Sequence, residues 1–226
     1  MNIYQGKSRI TESVKAVATG LSRPSKNTKT GKMVQVWMLP TGNVFNAVWK
    51  NGRDKNVCGE CPLRAFNSKG KRQKRRCYVN VAKAPLAISK AKYPTFNIES
   101  FKGKLVRFGA FGDPASIPYS ILRNIANVSK GWTGYTHQWR ARKNRRFANL
   151  LMASVENLAD KMRANLLWFR TFRMLSKNDS LEPDEILCPA SKEAGNRIQC
   201  DKCLLCSGTR FGKLIKARNI ATWEHK

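Results

Sequence analysis

Apolar and polar positions alternate most clearly in the second half of the chain. Residues 104–111 predict a strand closed by Gly112-Asp113-Pro114, and 117–128 repeat apolar residues at Ile117, Ile121, Leu122, Ile125 and Val128, one face of a helix. Strands follow at 132–137, 150–155 and 167–174, with a helix at 156–166, and 138–149 has the length of another helix. Strand and helix taking turns in this way predict a parallel sheet with crossover helices, either open or part of a β/α barrel. Upstream, 33–39 and 44–49 predict two strands of a hairpin turning through Pro40-Thr41-Gly42, and 85–92 a short helix with Pro85 in its first turn. Residues 1–32 are polar and basic, rich in Ser, Thr, Pro and Lys over 22–32, and predict a flexible basic arm.

The expected class is therefore α/β, a partial parallel β/α barrel or sheet with Cys-rich metal-binding insertions. Its expected parts are the arm (1–32), strands with a cysteine site and a basic loop (33–103), a β/α core (104–187) and a C-terminal metal-binding segment (188–226).

Seven cysteines sharpen this picture, because they fall into two groups: Cys58-x2-Cys61-x15-Cys77 and Cys188-x11-Cys200-x2-Cys203-x2-Cys206. Close pairs aim two thiolates from one turn at one ion, whereas a disulfide framework scatters its cysteines, and an odd count leaves one thiol over. Cys188, Cys200, Cys203 and Cys206 can close a tetrahedral zinc site unaided. Their spacing, with Pro189 after Cys188, also suits ferredoxin-type ligation; the small polar surroundings of Lys202, Ser207 and Gly208 favour zinc. The first group supplies three thiolates. His137 is the candidate for the fourth position, with His225 its only histidine competitor; alternatively an iron–sulfur cluster leaves one iron open there. Cys77 also reads as an ordinary core residue beside Tyr78 and Val79.

Charge points to the partner. The 226 residues hold 43 Lys and Arg against 14 Asp and Glu, a formal net charge of +29. Such a field repels itself in the compact state and is relieved by a polyanion, so nucleic acid is the expected partner. The densest block is Arg64, Lys69, Lys71, Arg72, Lys74, Arg75 and Arg76, without an acid, inside the Cys61–Cys77 interval. Clamped at its base by metal, it would form a basic loop suited to a phosphate backbone. A second run, Arg140, Arg142, Lys143, Arg145 and Arg146, is interleaved with Tyr135, Trp139 and Phe147, which could stack bases. The alternative for both runs is a solvated basic surface. No apolar run reaches the roughly 20 residues of a membrane span, and the N-terminus lacks the apolar core of a secretory signal. A reducing cytoplasm and no membrane partner are expected.

In parallel sheets chemistry collects at the carboxyl ends of strands. Asp113, His137, Ser154, Glu156 and Arg173 are expected there, with Asp113, His137 and Ser154 as catalytic candidates. Each also has a plainer role, Asp113, Ser154 and Glu156 at helix starts and Arg173 on an exposed strand face. No phosphate-loop motif, H-E-x-x-H pair, G-x-S-x-G elbow or zinc-deaminase pattern occurs.

The strings Cys58-Gly-Glu-Cys61-Pro-Leu-Arg, Cys77-Tyr-Val-Asn, Phe108-Gly-Ala-Phe-Gly-Asp-Pro114, Thr133-Gly-Tyr-Thr-His-Gln-Trp139, Met152-Ala-Ser-Val155 and Cys188-Pro-Ala-Ser191 resemble an uncharacterised family found mainly in phages and their hosts. They span about residues 55–210. That resemblance implies a phage-type protein in a host cytoplasm and no particular activity. More distantly, a Cys-rich segment followed by β/α units resembles the partial barrels of radical S-adenosylmethionine proteins. There three cysteines bind a cluster and S-adenosylmethionine fills the fourth iron; this chain departs from their Cys-x3-Cys-x2-Cys motif. Three functions are thus expected to compete. They are a nucleic-acid-binding metalloprotein with metal as scaffold, an iron–sulfur enzyme acting on nucleic acid or nucleotide, and a basic protein docking on an acidic host protein.

Overall fold

The computed structural model describes residues 1–24, 30–41, 52–67, 69–77, 79–195, 198–209 and 219–224. It is a mixed α/β structure built on one nine-stranded sheet. In chain order the elements are β1 (Asn2–Lys7), β2 (Ser13–Thr19), β3 (Val34–Pro40), α1 (Lys55–Cys58), α2 (Ala84–Lys90), β4 (Leu105–Phe111), α3 (Tyr119–Val128), β5 (Gly131–Thr136), β6 (Met152–Val155), α4 (Leu158–Leu166), β7 (Thr171–Leu175), β8 (Glu185–Leu187), α5 (Cys200–Cys203) and β9 (Asn219–Trp223). The strands lie in the order β1-β2-β3-β4-β5-β6-β7-β9-β8.

Only the β1–β2 and β2–β3 pairs are antiparallel; every pair from β3 onward is parallel. From β3 to β7 the order follows the chain, so right-handed crossovers keep the intervening segments on one face. On that face Leu122 and Ile125 of α3, Phe147, Leu150 and Ala164 of α4 pack on Val36, Val106, Phe108 and Ala153 of the sheet. A smaller cluster joins Met152, Cys188, Ala190, Cys206 and Ile220, with Tyr135 and Phe172 against it.

Three sequence expectations change. Residues 1–24 are not an arm: β1 and β2 form a hairpin whose Val14, Ala16, Val17 and Ala18 are buried, and β2 pairs with β3 from Val14↔Pro40 to Thr19↔Gln35. The expected strand at 44–49 falls outside the described residues, and both edges of β3 are taken, by β2 and β4. Residues 138–149 form 3₁₀ helices, Gln138–Arg140 and Arg142–Asn149, and the strand expected at 167–174 starts at Thr171, after α4 ends at Leu166 and the chain turns through Trp168 with φ of 67°.

Candidate functional site

The first cysteine group is built by one helical turn and an irregular hairpin. Cys61 donates its backbone N–H to the Cys58 carbonyl (3.1 Å), so α1 and the turn after it bring the two side chains together. The chain then runs out and back. The Ala65 carbonyl accepts from Gln73 (2.8 Å), the Leu63 carbonyl accepts from both Arg76 (3.1 Å) and Cys77 (3.0 Å), and Phe66 bridges Arg72. This returns Cys77 to the pair. Burial, with Cys61, Asp54 and Cys77 nearby, raises the Cys58 thiol well above its usual pKa, and burial likewise raises Cys77.

Arg64, expected to meet phosphate, instead lies inside the base of this hairpin. It is 4 % exposed, donates twice to Asp54 (Nη2 at 2.7 Å, Nε at 3.0 Å) and caps the carbonyls of Gly52 and Gly59. A buried guanidinium needs this complete set of acceptors, which the lone acid ten residues upstream provides. Lys69, Lys71, Arg72, Lys74 and Arg76 are exposed, whereas Arg75 is half-buried and donates to the carbonyls of Cys77 and Val79.

The ends of β4, β5 and β6 complete the group. Asp113, just past β4, accepts from the backbone N–H of Ala115 (2.9 Å) and of His137 (2.7 Å), so it caps a turn and also fixes the end of β5. Burial raises its pKa, opposed by His137 and those N–H groups. The His137 ring meets the Cys61 thiol on one side and the Glu156 carboxylate, beyond β6, on the other (Nε2 to Oε1 2.8 Å). Burial works against its protonation, but Cys61 and Glu156 outweigh it and raise His137 well above the ordinary imidazole value. Gln138 reaches the Cys58 carbonyl (3.3 Å) and Asp113 (3.4 Å). Gly59, at φ +53°, lies so close to Gln138 that a Cβ there would collide with its carboxamide.

Not every expected residue joins. Ser154 stays within β6, where its carbonyl accepts from the Trp139 indole (3.1 Å), and among the described residues its hydroxyl bonds neither Asp113 nor His137. Arg173 is not on an exposed face: it forms a buried bidentate pair with Glu185 (2.9 and 2.6 Å), tying β7 to β8. Helix α4 is capped by Asn157, whose side chain accepts from Asp160, which leaves Glu156 to His137. His225 lies outside the described residues.

The second group assembles near the smaller core cluster. Cys188 follows β8, Cys200 and Cys203 begin and end α5, and Leu204 in a left-handed turn leads to Cys206. Gly134 of β5 donates to the Cys206 carbonyl (2.8 Å), and Arg170 clasps the carbonyls of Leu205 (2.9 Å) and Ser207 (2.6 Å). Cys206 is raised far above the thiol range by burial and then by Cys188, Cys200 and Cys203, while a bond from Tyr135 opposes this. Among the described residues no three His, Cys, Asp or Glu side chains are gathered tightly enough to grip an ion as they stand.

The second basic run lies along the same edge as His137. Arg140, Arg142, Lys143, Arg145 and Arg146 are exposed; Arg140 pairs with Asp160 (2.6 Å) and stacks 4.2 Å over Trp139. The aromatics among them do not face solvent: Trp139 and Phe147 are buried, and Tyr135 packs on Phe172 with ring centroids 4.6 Å apart. They are core, not base-stacking platforms. Among the described residues no helix is long and apolar enough to cross a membrane. Scans against protein-family models, curated proteins and solved structures each find no match.

Proposed function

We propose that this protein is a basic metalloprotein that binds nucleic acid, with its two cysteine groups holding metal as scaffold. One observation carries the reading: Cys58, Cys61, Cys77 and His137 converge where the parallel strands end, and both exposed basic segments flank that point. The hairpin reaches across to the end of β9, where Arg76 pairs with Glu224 (3.0 Å), and Arg140 reaches Asp160 at the start of α4. A backbone laid along this edge meets cations on both sides of the cysteine group.

The donor sets suit zinc. Burial and then the neighbouring thiols raise Cys206, a cost that a divalent cation would relieve, and Cys188, Cys200, Cys203 and Cys206 would hold it without a borrowed ligand. Cys58, Cys61 and Cys77 with His137 would make a Cys₃His set in which Glu156 orients the imidazole from behind, a common support for a metal-bound histidine. The motif resemblance supports reading it, within this proposal, as a phage-type protein working in a host cytoplasm.

Strand order favours a second reading. Sequential parallel strands, with the cysteine segment between β3 and β4, would also allow a partial barrel, at whose mouth Asp113, His137 and Ser154 would stand. There an iron–sulfur cluster on the three cysteines would bind S-adenosylmethionine and act on nucleic acid or nucleotide. The His137 contact with Cys61 favours the scaffold, in which the imidazole would supply the fourth ligand.

The test is oligonucleotide affinity measured by fluorescence anisotropy across a salt series. Affinity is expected to fall linearly in log–log form, and Lys71→Gln/Arg72→Gln/Lys74→Gln to lower the slope by about 0.7–0.9 per contact removed. An unchanged slope contradicts the assignment, and binding of an acidic protein without any polynucleotide, with no oligonucleotide affinity, would favour the docking function.

A further inference from the structure

Separate from the cysteine–histidine group lies a cleft of about 600 Å³ lined by Arg9, Ser120, Arg123, Asn124, Asn127 and Arg146. It gathers guanidinium groups from three places: the turn between β1 and β2, helix α3, and the 3₁₀ helix Arg142–Asn149. Among the described residues no carboxylate lines it.

The cations are held in place by one aromatic pair. Tyr119 and Phe147 meet edge to face, centroids 5.3 Å apart and planes at 87°. Arg9 lies 5.6 Å from the Phe147 centroid and Arg146 5.4 Å from that of Tyr119, so adjoining rings support adjoining guanidinium groups. Arg9 is also tied to the Asn144 carboxamide oxygen (3.1 Å), while its buried Nε has no partner. Like charges fixed on a shared platform leave a deficit of negative charge between them. Burial, and after it the nearby Arg146, lower the Arg9 pKa.

We propose that this cleft is a phosphate site, in which Arg9 and Arg146, with Arg123 on α3, bind the phosphoryl oxygens and the Asn124, Asn127 and Ser120 side chains meet the group that carries them. Planar guanidinium forks match phosphate oxygens in pairs, which explains arginine rather than lysine at the three charged positions. A cleft of this volume exceeds a bare phosphate and suits a nucleotide unit. The inference deepens the nucleic-acid reading by assigning one built site on the basic surface. The phosphate could come from a free nucleotide or from a polynucleotide, and the cleft stands on its own geometry whichever supplies it.

The experiment is calorimetric titration of the full chain with inorganic phosphate, with a nucleoside monophosphate, and with a single-stranded oligonucleotide, each repeated on Arg9→Gln, Arg146→Gln and Lys71→Gln/Arg72→Gln/Lys74→Gln. Saturable one-to-one binding of the monophosphate is expected, weakened at least about tenfold in Arg9→Gln and in Arg146→Gln and unchanged in the hairpin variant. Arg146 is exposed, so its substitution keeps the test decisive if Arg9→Gln, which also packs on Phe147, fails to fold. Monophosphate binding equal in wild type and Arg146→Gln, or no saturable binding of phosphate or monophosphate, overturns the site. Monophosphate binding lost in both arginine variants while the oligonucleotide fails to bind any form supports the site and contradicts only the polynucleotide reading.

Discussion

Arg64 and Arg72 stand in one basic block yet do opposite work. Arg72 is exposed, while Arg64 is closed over by Asp54 and two carbonyls at the root of the hairpin. Residue type and spacing could not separate them, because the deciding contact is with an acid outside the block. The signal was Asp54 itself, a lone carboxylate just ahead of the cysteine pair. Breaking this pair from one side strands a buried charge, so Arg64→Ala is expected to lose about 3–5 kcal/mol in urea denaturation, against at most about 0.5 kcal/mol for Arg72→Ala. Equal losses would mean the pair is not what holds the hairpin. His137 was legible for a different reason: three thiolates lack a fourth partner, and the chain has only two histidines. Its bond to Glu156 was not legible, since it joins the ends of two strands whose adjacency is set by the fold.

The β/α alternation from β4 to β7 could be read along the chain because β4 and β6 are short, largely apolar runs and α3 keeps a clean helical face. Strand β2 was hidden because its buried positions are largely alanine and valine among polar neighbours, so alternation was weak where pairing on both sides makes the strand certain. The turn after β4 was read correctly as a break, and the structure shows why glycine is needed there. Gly112 has φ +73°, and a Cβ would lie 2.6 Å from the Met38 carbonyl oxygen. Gly112→Ala is therefore expected to destabilise by about 2 kcal/mol or more through a strained backbone and contact with rigid β3, and to displace Asp113; a thermal melt checks this.

At α4, nearly buried Lys161 pairs with half-exposed Asp184 (2.6 Å). Burial alone would raise the Asp184 pKa, but Lys161 and Asn219 hold it below the ordinary value. A carboxylate lowered on folding adds stability above its unfolded pKa of about 3.9 and loses it as pH falls through the lower folded value. Asp184→Asn is thus expected to be less stable by at most about 1 kcal/mol above pH about 4, given the screening of a half-exposed acid, with the difference closing below it. A gap that widens in acid would reverse the sign and remove the pair as its cause.

Over the whole molecule, a parallel sheet concentrates chemistry by bringing loops from successive strands to one edge. Composition alone led to the expectation of a polyanion partner and of ligand-spaced cysteines, but not to the meeting of the cysteine hairpin with His137 at that edge. The paired edge of β2 and the crossovers set this, and they depend on contacts between residues far apart in sequence. The account rests most on metal at both cysteine groups. The direct measurement is metal content and absorption spectrum of the intact protein purified without oxygen, alongside Cys58→Ser and Cys203→Ser. One zinc ion at each group, no visible absorbance, and the loss of one ion in each variant are predicted. A folded wild-type chain that carries no metal at either group would contradict the account.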